Sequence, residues 1–249
     1  MRRYSSPYAS SFSFGPGPLS TALKALIAAN VAMFLVTELG PVKLNPILGL
    51  VPESVVGALW FWQLGTYMFL HAGPFHLGFN MLALWMFGTE LERIWGTRYF
   101  LKFYFVTGIG AGALTVLVSL LPFDATTPIY IHQTIGASGA IYGLLLAYGM
   151  YFPDRPIYMY LVFPIPAKIF VLIMGALAFY ASISGTGGGT ANWTHLGGLL
   201  VAYLFLKSAR VHPISEVKYR YLKWKINRVR KKFDVYSGGR ADDWDRRVH

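Results

Sequence analysis

The 249-residue chain contains no cysteine and few charged residues, and both features limit the kinds of protein it can be. Without cysteine, the chain can form no disulfide, zinc-thiolate site or thiol nucleophile. Charged residues make up only 13% of it, whereas 55% is hydrophobic and the mean hydropathy is +0.45. Soluble domains typically carry about 25% charged residues. The composition therefore indicates an integral membrane protein.

The net charge of +11 is concentrated near the C-terminus, because thirteen of the 22 Lys and Arg residues lie from Lys207 onward. No nucleic-acid-binding module is recognisable in the sequence, so we expect no nucleic-acid partner. We predict instead a basic cytoplasmic tail at 208–249. Within it, 214–235 either forms an amphipathic helix on anionic lipid or remains a solvated basic segment.

Six apolar stretches are long enough, or nearly so, to cross a bilayer whose hydrocarbon core requires about 20 helical residues. They lie at 21–38, 74–92, 99–121, 137–152, 165–183 and 193–207. We therefore predict an all-α membrane protein in which a bundle of six transmembrane helices occupies 20–207 and follows a flexible cytoplasmic tail at 1–19. The first connection, 39–72, is long and contains an aromatic cluster typical of membrane interfaces.

Positive charge is distributed unequally between the connections. Those after the first, third and fifth stretches contain only Lys43, whereas the others, with their flanks, contain Arg93, Arg98, Lys102, Arg155 and Lys168. Because positively charged loops are retained in the cytoplasm, both termini are predicted to be cytoplasmic. The second, fourth and sixth helices would then all enter the membrane from its outer face.

Four polar residues lie near the outer ends of these three helices: His76 and Asn80 in the second, Ser138 in the fourth and His195 in the sixth. Polar groups within membrane helices are costly and often mark functional sites. Each lies at most about eight residues into its helix, so all four should be within about 12 Å of the outer surface. The pattern predicts one pocket that combines a hydroxyl, an imidazole and two further donors.

Small residues surround the serine and follow the histidine. Gly136 and Gly139 flank Ser138, so the backbone can approach a carbonyl substrate and the Ser138 N–H can donate to it. Gly198 is followed by a second small residue four positions later, a spacing that allows membrane helices to approach closely. We expect the sixth helix to pack against the glycine-rich face of the fourth.

None of the eleven Asp and Glu residues falls where it could orient His195, because all lie in connections, at span ends or in the tail. A Ser-His dyad is therefore the consistent arrangement, with the His195 ring packed against Tyr142 one turn below Ser138. Either residue alone would more often be a structural hydrogen-bonding group. Their coincidence at one depth favours catalysis.

Three segments in this order resemble the rhomboid family of intramembrane serine proteases: HAGPFHLGFN at 71–80, GASGAIYG at 136–143 and THLGG at 194–198. The resemblance extends from Trp62 to about Leu206. One departure is visible, because the usual Trp-Arg pair of the family reads Trp62-Gln63 here.

The resemblance implies a role for each site residue. Ser138 would be the nucleophile and His195 the general base, and the oxyanion hole would combine the Ser138 N–H with His76 and Asn80. His71 matches a family histidine at the rim of the site.

The resemblance also implies substrates that are single-span membrane proteins, cut near the outer face of what we expect to be a bacterial inner membrane. We expect no metal or organic cofactor, and the sequence indicates no oligomeric state. The glycine-rich segment 185–190 and the fifth helix are predicted to gate the pocket. A non-catalytic rhomboid-like protein would lack the Ser138 and His195 pair, and a transporter would show intramembrane charges and internal repeats, which the sequence does not.

Overall fold

The computed structural model describes residues 16–41, 44–123, 126–159, 163–184 and 190–210. The chain forms two units, Met1–Leu206 and Lys207–His249, and the features below belong to the first, apart from the last four residues of the final helix. The predicted tail helix at 214–235 and most of the predicted N-terminal tail lie outside the described residues. The described part is mostly helical. Its six long helices are α1 Thr21–Leu39, α2 Pro74–Trp95, α3 Thr97–Ser119, α4 Ser138–Tyr151, α5 Ala167–Ser184 and α6 Thr190–Arg210.

Each predicted apolar stretch corresponds to one of these helices. Among the described residues, α1, α3 and α5 are long and apolar enough to cross a membrane by themselves. Helices α2 and α6 have 22 and 21 residues but include more polar side chains, and α4 has only 14 residues. The helices that carry the candidate site residues are thus the less apolar or shorter ones.

Local sequence signals explain where several helices begin. The Ser20 hydroxyl accepts a 3.1 Å hydrogen bond from the Leu23 N–H and caps α1. Helix α2 begins at Pro74, a favourable first position because a proline there removes no helical hydrogen bond. Gly96, with φ of +76°, is the single residue between α2 and α3, and its positive φ allows the abrupt turn.

Helix α4 lies at the centre of the described bundle, where it packs against α2, α3 and α5. Nine of its 14 residues are buried. In α5, by contrast, only three of 18 residues are buried, and Leu172, Tyr180 and Ile183 are more than 60% exposed. The outward face of α5 is therefore available to lipid.

A buried carboxylate joins three helices at the end of the bundle opposite the candidate site. Glu92, near the end of α2, accepts hydrogen bonds from the hydroxyls of Ser20 before α1 and Thr97 in α3, at 2.5 and 2.6 Å. Arg155, after α4, pairs with Glu90 of α2 at 3.2 Å. The C-terminal ends of α2 and α4 therefore lie together, and the two helices run in the same direction.

The long first connection contains short helices at Asn45–Leu48, Pro52–Gly57 and Gln63–Thr66, followed by a 3₁₀ turn at Tyr67–Phe69. Its predicted interfacial aromatics are on the surface, where the Trp60 and Trp62 rings stack at 5.3 Å. The connection before α4 contains one further short helix, Thr127–Ile131.

The expectation of an all-α chain is wrong in the connection between α4 and α5. Strands β1, Pro156–Met159, and β2, Phe163–Pro166, form an antiparallel pair in which Ile157 opposes Ile165. The fifth apolar stretch predicted from the sequence begins at residue 165, within β2. Pro164 and Pro166 lack the backbone donors that a helix interior requires, so α5 begins only at Ala167.

Candidate active site

Ser138 and His195 come into direct contact, although 57 residues separate them in the sequence. Ser138 is the first residue of α4, and His195 lies in the second turn of α6. The distance between Ser138 Oγ and His195 Nε2 is 2.8 Å, a hydrogen bond between partly buried side chains. An imidazole that accepts from a hydroxyl in this way can act as its base.

The contact between α4 and α6 depends on glycine. A Cβ atom on Gly198 would overlap the carbonyl oxygen of Gly139, and a Cβ on Gly139 would lie 3.0 Å from the Cβ of Ala111 in α3. The two backbones are therefore close enough for the short Ser138 side chain to reach His195. This is the close packing that the small-residue spacing predicts.

The His195 ring is held by an aromatic neighbour rather than by an acid. It stacks on the Tyr142 ring, with centroids 4.2 Å apart and planes 5° from parallel. Among the described residues, His195 Nδ1 has no hydrogen-bond partner. When Nε2 accepts from Ser138, the neutral ring carries its proton on this Nδ1 atom.

His76 faces Ser138 across Gly136. Gly136 has φ of +126°, and a Cβ atom on it would lie 2.9 Å from His76 Nε2 and 3.6 Å from Ser138 Oγ. The Ala72 N–H donates to His76 Nδ1 at 3.3 Å. Because Nδ1 is then an acceptor, the proton of the neutral His76 ring is on Nε2, where it can be donated towards the serine.

Asn80 lies one turn after His76 on the same helix and is buried. Its Nδ2 donates to the His76 carbonyl at 2.7 Å. An amide nitrogen has two N–H donors, so one remains for another acceptor. The backbone N–H of Ser138 is similarly available, because the first N–H groups of a helix have no acceptor within that helix.

His71 is buried before the start of α2, with its ring centroid 5.0 Å from that of His76. Burial, followed by the proximity of His76, lowers the pKa of His71 to about 4. The ring is therefore neutral at neutral pH. His71 therefore lies beside His76 at the site. Among the described residues, it forms no hydrogen bond with Ser138.

The segment that leads into α4 is held by the first connection. Leu50 and Thr134 exchange two backbone hydrogen bonds, of 2.8 and 3.0 Å, and the Gly136 N–H donates to the Tyr67 carbonyl at 2.9 Å. The sequence does not reveal these contacts, because backbone groups carry no side-chain signal. They fix Thr134 and Gly136, which lie four and two residues before Ser138.

Gln63, which departs from the family pattern, is fully buried in the same connection. Its Oε1 accepts from the Val51 N–H at 3.0 Å, and its Nε2 donates to the Ile47 carbonyl at 3.2 Å. A neutral amide therefore links the two ends of the segment that contains Leu50. The neighbouring Trp62 Nε1 donates to the same Ile47 carbonyl at 3.0 Å.

The described residues contain no cluster of three or more His, Asp or Glu side chains with the proximity that a metal site requires. The site itself offers hydroxyl, imidazole, amide and backbone groups.

Several known proteins are similar to this chain in sequence. The model of the Rhomboid domain matches residues 59–209, which is more than half of the chain. The chain is 33% identical to Rhomboid protease GluP of Bacillus subtilis over 178 residues, which are 70% of this chain and 32% of that protein. It is 30% identical to Rhomboid protease AarA of Providencia stuartii, over 58% of this chain and 54% of that protein.

A mitochondrial relative is also similar. Rhomboid protein 1 of Saccharomyces cerevisiae is 36% identical over 55% of this chain and 38% of its own length. The chain thus matches between about a third and about half of the length of these relatives. Because the family model matches more than half of the chain, the chain belongs to the rhomboid family.

Proposed function

We propose that this protein is an intramembrane serine endopeptidase that cleaves membrane-spanning helices. The observation that carries the proposal is the 2.8 Å hydrogen bond between Ser138 Oγ and His195 Nε2. Membership of the rhomboid family and similarity to two relatives named rhomboid proteases support the same activity. The assignment of individual roles rests on the geometry around this bond.

In the proposed reaction, Ser138 Oγ attacks the carbonyl carbon of the scissile peptide while its proton passes to His195 Nε2. The electron pair of the carbonyl double bond moves to oxygen and forms a tetrahedral oxyanion. Collapse of this intermediate breaks the C–N bond, and His195 returns the proton to the leaving amine. Water then hydrolyses the acyl enzyme with His195 again as base.

The oxyanion would be stabilised by three donors: the Ser138 N–H, the Nε2–H of His76 and the second amide proton of Asn80. The bond from Ala72 to His76 Nδ1 supports the tautomer that this role requires. Donors fixed before the reaction need little reorganisation as charge develops, which is the basis of their catalytic effect.

We propose that all six long helices cross the membrane. Helices α2 and α6 are about 33 and 31 Å long at 1.5 Å per residue, enough for the hydrocarbon core. The shorter α4 is surrounded by other helices, so its surroundings are protein rather than lipid. The charge distribution supports cytoplasmic termini with tails at 1–19 and 208–249. Similarity to two bacterial rhomboid proteases supports a bacterial inner membrane as the location.

Substrate entry would occur beside α5. Its small buried fraction supports a helix that can be displaced at modest cost, although its contacts with α4 hold it in the closed form. The predicted gating segment, 185–190, lies almost entirely outside the described residues. A single-span substrate would unwind locally at this opening, because a helical peptide bond does not expose its carbonyl to Ser138.

The activity is tested with purified full-length protein in liposomes and a reporter whose membrane helix separates two detectable tags. We expect cleavage by the wild type and none by Ser138→Ala or His195→Ala, both of which should still form the folded bundle. Equal cleavage by wild type and Ser138→Ala would contradict the proposed mechanism.

A further inference from the structure

Two buried threonines form a polar contact between α3 and α6. The Oγ1 atoms of Thr115 and Thr194 are 2.7 Å apart, and both residues are buried. Helix α3 carries none of the predicted site residues, whereas Thr194 immediately precedes His195. The contact therefore connects the helix of the histidine to a neighbour that otherwise takes no direct part in the site.

The surrounding distances indicate the direction of this hydrogen bond. Thr115 Oγ1 also lies 3.0 Å from the Ala111 carbonyl, whereas Thr194 Oγ1 is 3.4 Å from the Thr190 carbonyl. A hydroxyl has one proton to donate. Thr115 therefore donates to Ala111 and accepts the proton of Thr194, an arrangement that leaves neither hydroxyl without a partner.

Two glycines of α6 also make close contacts at this level. A Cβ atom on Gly197 would lie 3.1 Å from the carbonyl oxygen of Ala111 in α3, and Gly198 lies against Gly139 of α4. Glycines let helices approach closely, but they have no side chain to interlock with a neighbour. These contacts limit the distance of α6 from its neighbours more than its rotation about its own axis.

Rotation matters because the His195 ring lies far from the helix axis. With side chains extending about 5–6 Å from that axis, a rotation of about 10° moves the ring by about 1 Å. Such a displacement would break the 2.8 Å bond to Ser138. A misplacement of about 1 Å can lower a catalytic rate by as much as about 10²-fold.

We propose that Thr115 is a positioning residue for His195. Its hydroxyl holds Thr194 and so sets the rotation of α6 at which His195 Nε2 meets Ser138 Oγ. The catalytic consequence rests on the proposed peptidase activity, whereas the effect on the His195 geometry does not.

Three substitutions in α3 isolate this contact. Thr115→Val keeps the shape of the side chain but removes its hydroxyl, and Thr115→Ser restores a hydroxyl. Thr107→Val is the matched control, because Thr107 is two turns earlier on the same helix, is fully buried and has a hydroxyl without a partner among the described residues. Each variant is compared at equal concentration of active sites, titrated by complete labelling of Ser138.

We expect Thr115→Val to lower kcat by roughly 10-fold with little change in KM, because the histidine and not the substrate surface is displaced. Thr115→Ser should recover kcat to within about threefold of the wild type, and Thr107→Val should leave it unchanged. Thr194→Val should reproduce the loss, and the double Thr115→Val, Thr194→Val variant should be no slower than either single variant. Equal kcat values for Thr115→Val and Thr107→Val, or multiplicative losses in the double variant, would overturn the proposal.

A second measurement is independent of peptide cleavage. In protein containing ¹⁵N-labelled histidine, the Nε2 resonance of His195, identified with His195→Ala, reports its bond to Ser138. We expect Thr115→Val to move this resonance towards its position in Ser138→Ala, and Thr115→Ser to return it. An unchanged resonance in Thr115→Val contradicts the positioning role. If Thr115→Val shifts the resonance but the wild type cleaves no substrate, only the proposed peptidase activity is contradicted.

Discussion

Helices α4 and α5 are neighbours in the chain but differ in the fraction of their residues that is buried. Helix α4 has 14 residues, nine of them buried, and begins with Ser138. Helix α5 has 18 residues, three of them buried, and is apolar enough to cross a membrane by itself. One helix is enclosed by protein, and the other presents most of its surface outward.

The difference shows that hydropathy and packing report separate properties of a membrane helix. A lipid-facing helix such as α5 needs large apolar side chains around most of its circumference. An enclosed helix needs small residues where other backbones approach it, as Gly139 does opposite Gly198. The helix that begins with the candidate nucleophile is therefore recognised less by its hydropathy than by its glycines.

The largest effect is expected when this close contact is disturbed. Gly198→Ala places a methyl group against the Gly139 carbonyl, so α4 and α6 must separate. We expect a loss of activity of roughly 100-fold or more, together with destabilisation by about 1–3 kcal/mol. The same change in α5, Gly175→Ala, adds a methyl group only 3.4 Å from Leu199 Cδ1, an ordinary contact, and should change reporter cleavage less than twofold. Similar losses of activity in Gly198→Ala and Gly175→Ala would contradict the special importance of the close packing against α4.

A smaller effect is expected for Asn80→Ala, which removes one proposed oxyanion donor. Turnover should fall by up to roughly 10²-fold. Asn30→Ala is the matched control, because buried Asn30 in α1 makes the same local bond, from Nδ2 to the Leu26 carbonyl at 2.8 Å. We expect Asn30→Ala to lower thermal stability without lowering kcat per titrated active site. Equal kcat losses would show that Asn80 acts only through the fold.

The aromatic support of His195 should contribute still less. Tyr142→Ala removes the ring that stacks on His195 and should lower kcat by roughly 10-fold, because the imidazole becomes less well oriented. Tyr142→Phe retains the ring and should remain within about threefold of the wild type. In α5, Tyr180→Ala changes a largely exposed side chain and should have no measurable effect on kcat. A large effect of Tyr142→Phe would instead indicate a role for the hydroxyl.

Substitutions in the first connection should change activity least, and their main effect should be on stability. Gln63→Leu leaves the partly buried Val51 N–H without its acceptor and should destabilise the protein by about 1–3 kcal/mol, measured by thermal or denaturant unfolding. Trp62→Phe removes an exposed bond to the Ile47 carbonyl, which Gln63 also contacts, and should cost about 0.5 kcal/mol or less. A larger loss for Trp62→Phe would show that the exposed ring, and not the buried amide, holds this connection.

The sequence predicts the helices well because each of the six contains a long apolar stretch. It also identifies Ser138, His195, His76 and Asn80 as neighbours, since one topology places all four at a common depth. Their proximity is a feature of the structure, whereas their chemical roles remain predictions. The hairpin between α4 and α5 is missed because the apolar composition of Phe163–Pro166 resembles the start of a span.

Other contacts could not be predicted because nothing in the local sequence identifies a distant partner. The side-chain bonds of buried Gln63 join residues 12 and 16 positions away, and the Thr115 and Thr194 contact spans 79 residues. A threonine in a membrane helix commonly bonds to its own backbone, as Thr115 also does with Ala111. Only the packed helices distinguish this local bond from the additional one between helices.

The most direct test of the central claim is the reaction of the purified protein with a fluorophosphonate probe, with the modified residue located by mass spectrometry. We expect one phosphonylated residue, Ser138, in the wild type, no labelling in Ser138→Ala and at least roughly 100-fold slower labelling in His195→Ala, because the serine loses its base. Modification of another serine, or an unchanged rate in His195→Ala, would contradict it.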